Sequence, residues 1–327
     1  MNDEPLRRIV DEEMRRSVPA AVSALAAQLA ARAQGKAAAV LFYGSNLRDA
    51  RLDGVLDFYI LLDHVGAWPG SRLAALANQM LPPNVGYFEG EVAGQTLRAK
   101  YALLSVSQFR RGMSHHSLDT TLWARFSQPC CLAWVRAEPD RVAAVDSVRE
   151  AVTTAARWAA GLGPERGDAL AYWRALFAST YGAELRVEKG GRGHDLVARD
   201  ADRYAQLLPE AWHAAGIEFD RTDDALLTPR MTPSSREKAK RRWAVRVRLG
   251  KPLNILRLIK AAFTFDGAMD YVVWKVERHS GVRPEVTDWQ RRHPLLAAPG
   301  LYWRLRKLRV LVCGSGSNEC KRHRSWS

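Results

Sequence analysis

Hydrophobic positions in the first third of the chain change their spacing twice. Ile9, Val10, Met14, Val18, Val22, Leu25, Leu29 and Ala30 recur at three- and four-residue intervals, which predicts a helix over residues 6–34. Short apolar runs then take over, and Ala37–Tyr43 and Val55–Leu62 read as two buried strands. Residues 71–80, after Pro69-Gly70, predict a short helix. Residues 84–92 and 97–105 predict a hairpin around Ala93-Gly94-Gln95-Thr96. From residue 106 to about 216 the spacing is mostly helical, broken at Arg166-Gly167-Asp168 and at the basic glycine-rich stretch 189–193. Residues 228–235, rich in Pro, Ser and Thr, read as a linker. Beyond it, residues 236–248, 251–263, 268–277 and 302–311 mix aliphatic and aromatic residues with Lys and Arg, the pattern of basic amphipathic helices.

Charge sharpens this division. Residues 221–327 carry 24 Lys and Arg against 9 Asp and Glu, a net +15, whereas residues 1–220 are close to neutral. The last third is therefore expected to meet an anionic partner. Its apolar residues are interleaved with the cations, which points to a membrane surface rather than nucleic acid. At 327 residues the chain is long enough for one large or two ordinary domains. No run of about 18 apolar residues lacks charge, so no spanning helix is expected, and the acidic start does not read as a secretory signal. Cys130 and Cys131 sit in an apolar run and read as core thiols. Cys313 and Cys320 lie near His323 in a Gly/Ser-rich tail, a weak ligand pattern. Reduced thiols and a cytoplasmic setting are expected.

The most specific chemistry lies between the first two strands. Tyr43 is followed by Gly44-Ser45, and Asp57 enters near the start of the next strand. A glycine there lets backbone come close to a triphosphate, Ser45 can donate to a phosphate oxygen, and Asp57 can hold a Mg²⁺ bridging those phosphates. The same residues also describe an ordinary turn between two core strands.

In order along the chain, further segments carry a resemblance. These are Tyr43-Gly44-Ser45, Leu56-Asp57-Phe58 through Asp63, Lys100-Tyr101-Ala102, Leu118-Asp119-Thr120 through Pro129, Ser179-Thr180-Tyr181-Gly182 through Arg186, and Leu256-Arg257 through Gly267 with Tyr271 and Lys275. Together they resemble the mitochondrial-type phosphatidate cytidylyltransferases, the CDP-diacylglycerol synthases of the translocator assembly and maintenance type. Departures from the family pattern are Ala102 for Gly, Gln128 for Lys, Glu184 for Asp, and Tyr59 where the wider superfamily has a second carboxylate.

The resemblance implies an α+β fold: a polymerase-beta-type nucleotidyltransferase domain (1–115), a mostly helical domain (116–227), and a basic amphipathic membrane-docking segment (228–327). It implies the reaction of CTP with phosphatidate to give CDP-diacylglycerol and pyrophosphate, with Mg²⁺ as cofactor. Asp57 and Lys100 are then catalytic, and Gly44, Ser45, Arg125, Glu184 and Arg186 contact the nucleotide. Asp57 and Asp63 are the expected metal ligands. They share strand parity, but an extended strand would hold them about 20 Å apart, and Glu89 and Glu91 are alternatives for the second ligand. Peripheral attachment to the cytoplasmic face of the inner membrane follows, with no nucleic-acid partner. Two other readings stay open: nucleotidyl transfer to RNA or protein, and a non-catalytic membrane-binding relative.

Overall fold

The structure is a computed structural model that describes residues 3–49, 52, 54–183, 192–281 and 283–292. The chain opens with two helices, α1 (Glu4–Met14) and α2 (Ala20–Ala31), where the spacing predicted one. The break falls at Val18-Pro19. Proline has no N–H to donate and disfavours helical backbone at the residue before it, so the apolar stripe continues across two separate helices.

Strand β1 (Ala37–Tyr43) leads through a short helix, α3 (Ser45–Asp49), to β2 (Val55–Leu62). Helix α4 (Arg72–Met80) is capped by Ser71, whose hydroxyl accepts from the Ala74 amide. The hairpin β3 (Asn84–Val92) and β4 (Gln95–Ser105) turns at Ala93-Gly94, both at positive φ, the geometry of a two-residue turn that matches strand twist. A capping box, with the Ser105 hydroxyl on the Gln108 amide and the Gln108 side chain on the Ser105 amide, starts α5 (Val106–Met113).

Helix α6 (Thr121–Phe126) precedes β5 (Cys130–Val135), a strand inside the region the spacing predicted as helical. A six-residue apolar run has the length of a strand but carries no period of its own. Edge pairing with β1 decides it, and Cys130 and Cys131 are buried there. Then come α7 (Glu138–Leu162), α8 (Ala169–Ala183), α9 (Arg192–Arg199) and α10 (Ala201–Ala215). A small ribbon of β6 (Phe219–Arg221) and β7 (Leu227–Pro229) follows. Residues 228–235 are therefore not a linker. They finish β7 and, through the Thr232 hydroxyl accepting from Ser235, cap the 32-residue helix α11 (Pro233–Thr264). The last elements are α12 (Ala268–Ser280) and α13 (Asp288–Arg292).

The fold is α+β. Its main sheet has the order β3-β4-β2-β1-β5, with β2 and β4 parallel and the other neighbours antiparallel. Both faces are covered, which is why the strands read as continuous apolar runs. Val40, Phe42, Phe58 and Ile60 pack under α2. Leu41, Tyr59, Leu61 and Leu104 share a second core with α1, α5, α6, α7, α8 and α10. That core includes Leu6, Val152 and Trp243, so it draws on all three expected parts of the chain. Among the described residues no helix is long and apolar enough to cross a membrane.

Candidate active site

Three strands bring the site together. Tyr43, the last residue of β1, lies opposite Asp57 on β2, and Asp57 lies opposite Lys100 on β4. Directly paired residues point to the same face, so Asp57 and Lys100 stand side by side at one end of the sheet. Gly44 turns the chain there at φ +97. A methyl group added to it would sit a tight 3.2 Å from Asp57 Oδ2, and the positive φ itself favours glycine, so the turn approaches the carboxylate closely. Ser45 follows at once as the first residue of α3. The Asn46 amide donates to the Val55 carbonyl at 2.8 Å and ties the turn to the start of β2. Gly44 and Asp57 thus meet, with Ser45 next in the chain.

Asp57 is half-buried, and burial pushes its carboxyl above the ordinary carboxylate range while Lys100 and Arg125 pull it back. Among the described residues its oxygens take no hydrogen bond or ion pair. Arg125, on α6, lays its guanidinium over the Tyr43 ring at 5.0 Å. Tyr59, two residues beyond Asp57 on the same face, is buried against Tyr43 and Phe126 at ring distances of 5.2 and 5.0 Å. The position where a second carboxylate would sit is therefore filled by an aromatic core residue.

Beside Asp57 opens a cleft of about 330 Å³, whose lining includes Tyr59, Lys100, Asp119, Arg125, Arg257 and Leu258. One wall is α11, the helix expected only to dock on membranes. Arg257 grips Asp119 with both nitrogens, at 3.2 and 2.5 Å, and donates to the Pro82 carbonyl. Asp119 also accepts from the Thr121 amide at 3.0 Å, just ahead of α6. Asp119 and Arg257 were not among the predicted site residues. Both lie in segments that carry the resemblance, Leu118-Asp119-Thr120 and Leu256-Arg257, but nothing in the sequence singles them out there or pairs them across the chain.

Other predicted residues stand elsewhere. Asp63 closes the opposite end of β2, where Arg136 takes both its oxygens at 2.9 Å. It does not join Asp57 at one metal, because β2 pairs with β4 in unbroken register through the intervening residues and holds the two ends apart. Glu89 accepts from the Tyr87 hydroxyl and pairs with Arg98, and Glu91 accepts from Thr96. Glu184 and Arg186 lie outside the described residues, as do the 302–311 segment, Cys313, Cys320 and His323.

The donors at hand fit a Mg²⁺ whose shell is completed from outside the chain. Among the described residues no three His, Cys, Asp or Glu side chains converge on one point. Mg²⁺, however, is commonly held by one or two carboxylates, with substrate phosphates and water completing the shell. Asp57, unengaged and beside a glycine turn, is a donor of that kind, and a dication would reverse the upward push of burial on its carboxyl.

No family model matches the chain, and no curated protein matches it. Among solved structures the chain is similar to a nucleotidyltransferase-like protein from Exiguobacterium sibiricum 255-15, with 12% identity, a TM-score of 0.26 and 79% of each chain covered.

Proposed function

We propose that this chain is a Mg²⁺-dependent nucleotidyltransferase, and within that class a phosphatidate cytidylyltransferase. The observation that carries the reading is the unengaged, half-buried Asp57 beside Gly44, with the charges of Lys100 and Arg125, which line the neighbouring cleft, acting on it. In the reaction a phosphate oxygen of phosphatidate attacks the α-phosphorus of CTP. The bond from that phosphorus to the bridging oxygen breaks, and pyrophosphate leaves with the electron pair. The attacking phosphate is already an anion near neutral pH, so no strong base is needed. Positioning and charge compensation supply most of the catalysis.

Gly44 admits the triphosphate close to the backbone, and Ser45 donates to one of its oxygens. Lys100 and Arg125 face the negative charge that grows on the leaving pyrophosphate. Asp57 holds the metal, which when bound screens the triphosphate charge. The cleft that Lys100 and Arg125 line also presents Val85 and exposed Leu258, apolar surface for the carbon chain of an amphiphilic anion, while Arg257 braces its wall through Asp119. The choice of cytosine rests on the sequence resemblance. The cationic α11 then rests on the anionic lipid that holds the substrate, peripherally, at the cytoplasmic face of the inner membrane.

The test is turnover of labelled CTP with phosphatidate and Mg²⁺. The expected product is labelled CDP-diacylglycerol with release of pyrophosphate. Label appearing instead in RNA or protein would replace the lipid with another acceptor. Tyr59 gives a non-catalytic relative its one supporting observation, and absence of any turnover with every acceptor would favour it.

A further inference from the structure

Helix α4 is built inside out. Its buried residue is Asn78, whose amide donates to the Leu103 carbonyl and whose carbonyl oxygens accept from the buried Gln108 side chain. Its large apolar residues point to solvent instead: Leu73 is 77% exposed, Leu76 is 53% exposed and Met80 is 79% exposed. An amphipathic surface helix normally does the reverse. Residues 73, 76 and 80 are three and four apart and so form one ridge.

Helix α11 carries a second apolar ridge. Val245, Leu249, Pro252, Leu256, Ile259 and Phe263 follow each other at alternating intervals of four and three residues, and all are exposed. The line is about 27 Å long at 1.5 Å per residue. Lys260 joins the two ridges: its ammonium donates to the Leu81 carbonyl, at the end of α4, and to the Pro83 carbonyl, at 2.5 and 2.6 Å. Toward the other side, Leu258 belongs to the cleft lining and is 67% exposed, so apolar surface continues to the cleft rim.

Charge selects the occupant. From Lys238 to Phe265 there are no Asp or Glu, and beside buried Arg246, Arg257 on Asp119 and Lys260 on two carbonyls the segment carries Lys238, Lys240, Arg241, Arg242, Arg248 and Lys251. Two copies of this chain pairing along α11 would set these cations against each other. Nucleic acid would satisfy the cations but leave the ridges in water. An anionic bilayer satisfies both.

We propose that α4 is a second lipid-docking element, with Leu73, Leu76 and Met80 entering the headgroup boundary of an anionic bilayer beside α11. This rests on the lipid-facing part of the proposed function. Two helices meeting the surface fix the orientation of the molecule, which one helix alone leaves free to roll, and they set the cleft rim at the lipid.

The test is flotation of the full chain with vesicles of equal parts phosphatidylcholine and phosphatidylglycerol, an anionic lipid that is not the substrate. The triple variant Leu73→Ser, Leu76→Ser and Met80→Ser should lose vesicle binding by more than about tenfold, because each side chain removes apolar area from water only when inserted. Its melting temperature, and its turnover of CTP with a short-chain water-soluble phosphatidate, should match those of the parent. If the triple variant floats like the parent, the proposal is overturned while lipid docking through α11 stands. If the parent itself does not float, the lipid reading falls and α4 falls with it. If the parent is a dimer by light scattering and the triple variant is a floating monomer, the ridge is an interface between copies and the proposal is overturned.

Discussion

The two ends of β2 each hold an aspartate, on the same face and six residues apart, and the fold treats them in opposite ways. At Asp63, Arg136 closes on both carboxylate oxygens and also reaches Asp140 on α7, so the carboxylate is paired within the fold. Arg136 accordingly holds the Asp63 carboxyl below its ordinary range. At Asp57 the cations stand close without closing, and burial raises the carboxyl. A carboxylate left short of partners in a half-buried place costs stability, and such costs cluster where a ligand is meant to complete the site. Identical residue type and strand parity therefore say little about role; what matters is whether an arginine reaches the carboxylate.

The strongest way to break this comparison is to remove each aspartate. On the proposed function, Asp57→Ala should lower the rate of CDP-diacylglycerol formation by about a thousandfold or more, whereas Asp63→Ala should leave it within about threefold. Equal losses in a direct kcat measurement would mean that Asp57 is as structural as Asp63. Next in size are the cations that flank Asp57 but not Asp63. Lys100→Ala and Arg125→Ala should each reduce kcat/KM for CTP by about a hundredfold. Arg136→Ala should not, and steady-state kinetics with CTP varied decide the matter. A smaller loss, about tenfold, is expected for Asp119→Asn, which keeps the shape of the Arg257 clasp but removes its charge. Its signature is a raised KM for phosphatidate with vesicle flotation unchanged.

Stability sharpens the contrast through opposite signs. With its carboxyl raised, Asp57 binds its proton more tightly in the folded chain than in the unfolded one. Its ionisation therefore subtracts from stability as pH rises past the ordinary carboxylate range. Asp57→Asn should raise Tm at neutral pH, and the gain should fade as pH falls to about 4. Asp63, with its carboxyl lowered, contributes stability above that range and loses it as pH falls through the lowered value. Asp63→Asn should lower stability by about 0.5 kcal/mol at neutral pH, the scale of an exposed ion pair, and make no difference in acid. Thermal melts of the two variants across pH test both signs, and melts that shift the same way would dissolve the comparison.

The sequence by itself determined the local parts of this protein. Apolar runs of strand length marked β1, β2 and the β3–β4 hairpin, although the hairpin turns on two residues, Ala93-Gly94, rather than the four the sequence suggested. The Gly44–Asp57 meeting was legible because an antiparallel pair with a short connection folds each end back on its partner. The asymmetry of charge was legible as a count. Tertiary structure decided what depends on partners distant in the chain. Parallel pairing of β2 with β4 set Lys100 beside Asp57. Packing of β5 on the sheet edge turned a periodless apolar run into a strand. Arg136 took Asp63 out of the site across 73 positions, and Arg257 closed on Asp119 across 138. The exposed ridge of α4 belongs to the same class, since a Leu-Leu-Met spacing reads as a buried face until the fold shows Asn78 on the inside. Period and turn chemistry act over a few residues, and a sequence displays them directly. Which cation reaches which carboxylate, and which face of a helix meets water, are set only when the whole chain has packed.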